Sequence, residues 1–213
     1  MKNKNYIFSV IFFLSIFASF ISAAYAQEFR LIQGFNLSIY SIHPDEYVST
    51  FIPPVVLDLK SNFLAGLLIG GGIEFDISKN IAVEIDALYF QKGSIIIADE
   101  VIISNYDLNE LSFPILIKIK PSSGFPAYLL GGGELSFILT HEVDGTNITE
   151  DAKTLDYGLV TGGGVEIKLK NSTVYIEGRY HLGLKNITKA TIWPWQFESI
   201  KPNAIVLLWG IKI

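Results

Sequence analysis

The sequence predicts an all-β fold, an eight-stranded antiparallel up-and-down transmembrane β-barrel built from residues 27–213 behind a short apolar leader. Three observations predict it. Past the leader the chain falls into eight segments, each about 10–14 residues long, with apolar and polar residues alternating at period 2. The connections between them run long, short, long, short, as expected when tight turns lie on one side of a bilayer and long loops on the other. Charged residues make up 17% and hydrophobic residues 50%. That charge content is low against about 25% for soluble domains, and a lipid-facing wall has no need to hide its apolar surface.

The leader is residues 1–26. Lys2 and Lys4 form a basic start, an apolar run follows from Tyr6 to Ile21, and Ala24-Tyr25-Ala26 places small residues where a signal peptidase reads. This predicts a secretory signal peptide cut between Ala26 and Gln27. An uncleaved anchor helix is the alternative; it needs about 20 apolar residues. Without Lys2 and Lys4 the chain keeps 14 basic residues against 21 acidic ones, a net charge of −7. That argues against nucleic acid as a partner. There are no cysteines, and so no disulfide framework.

The segments justify themselves in order. In 29–40, Leu31, Phe35, Leu37 and Ile39 oppose Arg30, Gly34, Asn36 and Ser38. In 62–77, Phe63, Leu67, Ile69 and Phe75 oppose Gly70, Gly72, Glu74 and Asp76, and the turn Ser78-Lys79-Asn80 follows. In 81–92, Ile81, Val83, Ile85 and Tyr89 oppose Glu84 and Asp86. In 106–120, Leu111, Phe113, Ile115, Ile117 and Ile119 oppose Glu110, Ser112, Lys118 and Lys120. After the turn Pro121-Ser122-Ser123-Gly124, segment 127–140 opposes Leu129, Leu135, Phe137 and Leu139 to Gly132, Glu134 and Ser136. In 157–170, Leu159, Val165, Ile167 and Leu169 oppose Gly162, Glu166 and Lys168, with the tightest turn expected at Asn171-Ser172. In 173–184, Val174, Ile176, Tyr180 and Leu182 oppose Tyr175, Glu177, Arg179 and His181. In 203–213, Ile205, Leu207, Trp209, Ile211 and Ile213 oppose Gly210 and Lys212. The long connections are expected at 41–61, 93–105, 141–156 and 185–202. An even strand count puts both termini on the turn side, which predicts periplasmic termini and outward-facing loops.

Three segments carry glycine runs: Gly70-Gly71-Gly72, Gly131-Gly132-Gly133 and Gly162-Gly163-Gly164. None leads into a Lys-Ser/Thr pair or a helix, so a phosphate cradle fails its context test. Mid-strand glycines instead fit a narrow barrel that bends sharply and needs room for long side chains inside.

Several stretches resemble the outer-membrane β-barrel family of Bacteroidetes-type bacteria that includes PorT-like proteins. They are Ala87-Leu88-Tyr89-Phe90-Gln91-Lys92-Gly93, Leu111-Ser112-Phe113-Pro114-Ile115-Leu116-Ile117-Lys118, and Pro126-Ala127-Tyr128-Leu129-Leu130-Gly131-Gly132-Gly133. Further on come Tyr157-Gly158-Leu159-Val160-Thr161-Gly162-Gly163-Gly164-Val165-Glu166 and Tyr175-Ile176-Glu177-Gly178-Arg179-Tyr180-His181-Leu182-Gly183-Leu184-Lys185-Asn186-Ile187. The resemblance covers nearly the whole chain past the leader. It implies an eight-stranded barrel in the outer membrane. It does not imply one biochemical role, although the namesake is tied to protein secretion.

The polar faces, pooled, give Arg30, Glu74, Asp76, Glu84, Asp86, Glu110, Lys118, Glu134, Glu166, Lys168, Glu177, Arg179 and Lys212. An eight-stranded barrel is just wide enough for side chains to fill it, so these charges are expected to pair in a structural network. A proton or ion path is the functional alternative. Neither a catalytic set, a metal site nor a cofactor is expected. His43 and His141 have no convincing serine partner, and His181 lies near Glu177 on the polar face. Trp193-Pro194-Trp195 with Phe197 fits two readings, a loop contact for a partner or part of the aromatic girdle at the membrane surface. The function expected is that of a non-enzymatic, monomeric outer-membrane barrel. It would work through its loops in a structural, adhesion or secretion-accessory role, with the lipid bilayer and other outer-membrane or secretion proteins as partners. The competing expectation is a soluble lipocalin-like barrel, apolar inside and charged outside, that carries a small apolar ligand.

Overall fold

The computed structural model describes residues 27–43, 46–48, 56–121, 126–188 and 199–213. The expected leader 1–26 and the residues Trp193, Trp195 and Phe197 lie outside them. Eight long strands form the wall: β1 (Gln27–His43), β3 (Val56–Asp76), β4 (Ile81–Ala98), β5 (Val101–Ile119), β6 (Ala127–Val143), β8 (Leu155–Lys168), β9 (Thr173–Gly183) and β10 (Ser199–Lys212). Two short strands sit off the wall. One is β2 (Glu46–Val48), which pairs with β3; the other is β7 (Thr146–Asn147), which pairs with β6. Each wall strand is antiparallel to both of its neighbours, and the ring closes where β1 pairs with both β10 and β3. Among the described residues no helix is long and apolar enough to cross a membrane.

The pairing register fixes the shape. Following it from Phe29 through Ile73, Ile85, Ile115, Gly133, Leu159, Leu182 and Asn203 leads back to Ile39, ten residues further along β1. Ten residues at about 3.3 Å, over a circumference of eight spacings of about 4.8 Å, tilt the strands by about 40°. Each residue then climbs about 2.5 Å along the barrel axis. The outward apolar residues run from Phe29 to Leu37 on β1 and from Ile119 to Leu111 on β5, eight positions apart on each strand, or about 20 Å. With their side chains they fill the roughly 25 Å apolar band of an outer-membrane barrel. Above the band the outward positions turn polar: Gln91 on β4, Asn109 and Asp107 on β5, Thr140 and Glu142 on β6.

The strands exceed their expected lengths at the loop end, and two expected long loops are corrected there. The segment 93–105 is mostly hairpin, because β4 and β5 continue to a two-residue turn at Asp99-Glu100, both with positive φ. This turn is tighter than the one at Asn171-Ser172. The segment 141–156 holds a second tight turn at Asp144-Gly145, the β7 hairpin and a short 3-10 helix at Thr149–Asp151. Asp-Gly is the dipeptide such a turn favours, since both central residues need a left-handed backbone. The run Ser94-Ile95-Ile96-Ile97-Ala98 keeps β4 extended, because β-branched residues favour strands.

The interior is layered. At the turn end it is charged. A middle layer is apolar, with Ile32, Leu68, Leu88, Phe90, Val206 and Leu208. A smaller charged layer follows, and the loop end is closed by Tyr40, Ile96, Tyr106, Leu108, Ile138 and Ile200.

Candidate functional site: the charged lumen

Period-2 alternation sends every second side chain of each wall strand inward, so charges from strands far apart in sequence meet inside. Glu177 on β9 is the hub of the deeper layer. Its carboxylate accepts from Arg30 Nη2 at 2.7 Å, from Arg179 Nε at 2.7 Å and from the Tyr128 hydroxyl at 2.7 Å. Arg179 also donates to Asp86 at 2.9 Å, and Glu84 pairs with both Arg30 and Arg179. The side chains of Arg30, Glu84, Asp86, Glu177 and Arg179 are fully buried. Arg30 lies 4.4 Å from the centroid of the Tyr175 ring, which covers the fully buried cation.

Nearer the turns a lysine set carries the same pattern. Lys118 Nζ reaches Glu74 at 3.0 Å and Glu166 at 2.5 Å, and sits 3.6 Å over the Tyr128 ring. Lys212 reaches the same two carboxylates at 3.1 and 2.8 Å. At the mouth, Lys120 binds Glu74 at 2.6 Å and the half-exposed Asp76 at 3.2 Å. Four buried cations thus face the five buried carboxylates Glu74, Glu84, Asp86, Glu166 and Glu177, with Lys120, Asp76 and Glu28 at the rim. Each buried carboxylate has a cationic partner, as burial in so small a space demands. Toward the loops, Lys92 pairs with Glu110 at 2.6 Å. His181 Nδ1 is 2.8 Å from Glu134, which also accepts from the Ser112 hydroxyl at 3.0 Å.

The structure thus brings Glu74, Glu84, Asp86, Lys118, Glu166, Glu177 and Arg179 into one cluster, with Arg30 and Lys212. Glu110 and Glu134 stand in the second layer. Lys168 belongs to neither, which corrects its expected place in the lumen network. It is exposed at the last position of β8, past Glu166, where the mouth opens to water. His181 meets Glu134 rather than Glu177, because the side chain across the lumen is closer than the one two residues along its own strand. Lys92 and Tyr128 were missed as members. Both share the parity of their strands' inward residues, which was the available signal. Trp193, Trp195 and Phe197 lie outside the described residues.

The interior glycines make the network fit. A Cβ on Gly72 would strike the Asp86 carboxylate, and one on Gly210 the Tyr175 ring. Outside, the aliphatics on the wall are exposed, for example Ile69, Leu129 and Ile167 at 60–69%. Charge inside and aliphatics outside is the reverse of a soluble ligand-carrying barrel. Among the described residues no group of three or more His, Cys, Asp or Glu could hold a metal ion.

A closed ring of eight tilted strands, an apolar belt one bilayer tall and a charge-compensated interior define a small transmembrane β-barrel of the outer membrane. The chain belongs to the outer membrane protein beta-barrel domain family, whose model matches residues 26–189. No curated protein matches it. Among solved structures it is similar to the outer membrane protein OprG from Pseudomonas aeruginosa, at 13% identity and a TM-score of 0.53, over 89% of this chain and 96% of that one. It is also similar to Neisserial surface protein A, at 12% identity and a TM-score of 0.48, over 89% and 99% of the two chains. A third is Ail, the attachment invasion locus protein of Yersinia pestis, at 11% identity and a TM-score of 0.42, over 89% and 100%. At these identities the likeness to OprG speaks for the fold alone.

Proposed function

We propose that the protein is a sealed, non-enzymatic, monomeric barrel that acts from its loop end, holding a partner at the membrane surface in a structural, adhesion or secretion-accessory role. The observation that carries this reading is the packed lumen. Side chains from all eight strands fill it, and the cluster around Glu177 ties β1, β4, β6 and β9 together across the axis. Lipid covers the wall and ion pairs fill the interior, so the surface left for a partner is at the barrel ends. At the loop end stand the β4–β5 turn at Asp99-Glu100 and the β6–β7 turn at Asp144-Gly145. The even strand count supports periplasmic termini and outward loops. The resemblance to PorT-like proteins favours a partner among outer-membrane or secretion proteins.

The test has two arms. Purified protein in planar bilayers is expected to show no stable conductance of porin size, and a steady large conductance would overturn the sealed barrel. Pull-down from native outer membranes is expected to capture a partner that is lost when Trp193 and Trp195 are both replaced by Ala, with heat-modifiable folding intact. If folding or insertion suffers and the captured proteins do not change, those tryptophans belong to the membrane girdle.

A further inference from the structure

The loop-end plug buries an imidazole among aromatic rings. His141 is fully buried, and both ring nitrogens lack a hydrogen-bond partner. It stands two residues beyond Leu139, the last outward aliphatic of β6, and so above the lipid band. Its ring meets those of Tyr40 on β1 and Tyr106 on β5 at 6.2 and 6.0 Å between centroids. Around them pack Leu59 of β3, Ile96 and Ala98 of β4, Leu108 of β5, Ile138 and Val143 of β6, and Ile187 and Ile200. The imidazole thus lies against two rings of a plug to which β1, β3, β4, β5, β6 and β10 all contribute. Beneath the plug lies the second charged layer of Lys92, Glu110, Glu134, Asp156 and His181.

We propose that this plug is a proton-operated cap: protonation of His141 loosens the aromatic and aliphatic seal and admits water to the charged layer below. An imidazolium needs an acceptor at each nitrogen, and neither His141 nitrogen has one within hydrogen-bond distance. The titratable groups in contact with it are Tyr40 from β1 and Tyr106 from β5; behind them, Glu110 and Asp107 of β5 and Asp156 of β8 act on Tyr40, Asp144 acts on Tyr106, and Lys92 of β4 holds Glu110. The contributions of β3, β10 and Ile187 to the seal are aliphatic. Glu110 is already engaged by Lys92. Burial alone pushes the His141 imidazole from its ordinary 6.5 down to about 4. The depressed value means the closed cap holds fewer protons than the opened one between pH 6.5 and 4. Closure is therefore strongest above that window and weakens as pH falls through it, by up to tenfold per pH unit.

The chain has no cysteine, so a single nitroxide can be placed without further changes. Ile42, which packs against the plug from its edge, is the site. In full-length protein carrying Ile42→Cys and the label, in lipid vesicles, nitroxide mobility and collision with a water-soluble paramagnetic reagent are expected to rise reversibly as pH falls from 6.5 to 4. Adding His141→Phe, or His141→Leu should the larger ring not be accommodated, is expected to flatten the profile. Ring NMR of the unlabelled protein is the independent measurement. It should show His141 still neutral at pH 6. An unchanged acid transition in the His141 variants would assign the effect to Glu110 or Asp156 and overturn the proposal. So would a flat profile in the protein that keeps His141, or a ring that titrates near 6.5.

Discussion

The depth of each outward residue can be read from the register and tested with charge. Ile115 is 58% exposed on β5, four residues from Ile119 at the turn-end rim. At about 2.5 Å of climb per residue it lies about 10 Å inside a band of roughly 25 Å, close to the midplane. Ile167 is 60% exposed and chemically equivalent, but it is one residue from the end of β8. Replacing Ile115 with Arg should therefore cost about 2–4 kcal/mol, and replacing Ile167 with Arg only about 0–1 kcal/mol, since its guanidinium reaches the interface at once. Little packing is lost at either site, so the difference between them is a depth effect. Reversible refolding into lipid vesicles, followed by urea titration, measures both. Equal costs, or a larger cost at Ile167, would refute the register-based placement of the membrane.

The interior makes its own predictions. Glu177→Ala leaves Arg30 and Arg179 short of their shared carboxylate, at a cost of about 3–5 kcal/mol; Asp58→Ala, which breaks the exposed pair with Lys60, should leave the same titration unchanged. Lys92→Met should destabilise by stranding Glu110, and Lys92→Met with Glu110→Gln should recover most of that loss, so a double-mutant cycle that shows simple additivity would dissolve the pair. Gly162→Ala drives a methyl into the backbone carbonyl of Gly178 and should cost about 1–3 kcal/mol, while Gly178→Ala projects into open space on the outer wall and should stay within about 0.5 kcal/mol. Heat-modifiability on gels ranks the two glycine variants, and the reverse order would mean that the inner and outer faces have been exchanged.

The barrel is legible in the residue pattern alone. Alternation is a local property. Leu31, Phe35 and Leu37 against Arg30, Asn36 and Ser38 can be assigned to two faces without knowing what either face meets, and eight such segments leave little choice of architecture. Strand ends were less legible. Ser94–Ala98 and Val101–Asn105 contain no residue that must leave a strand, so only the pairing of β4 with β5 decides that they form a hairpin rather than a loop. The Asp144-Gly145 turn is written in its dipeptide, inside the segment 141–156 that the spacing predicts as a loop. What the tertiary structure alone decided is who meets whom. The ten-residue stagger of the closed ring brings Arg30, Tyr128 and Arg179 within side-chain reach of Glu177, and Asp86 within reach of Arg179, and the same stagger sends Ile115 to the middle of the membrane and Ile167 to its edge. Alternation tells inside from outside. Height depends on the stagger accumulated over eight pairings, and no single segment contains that sum.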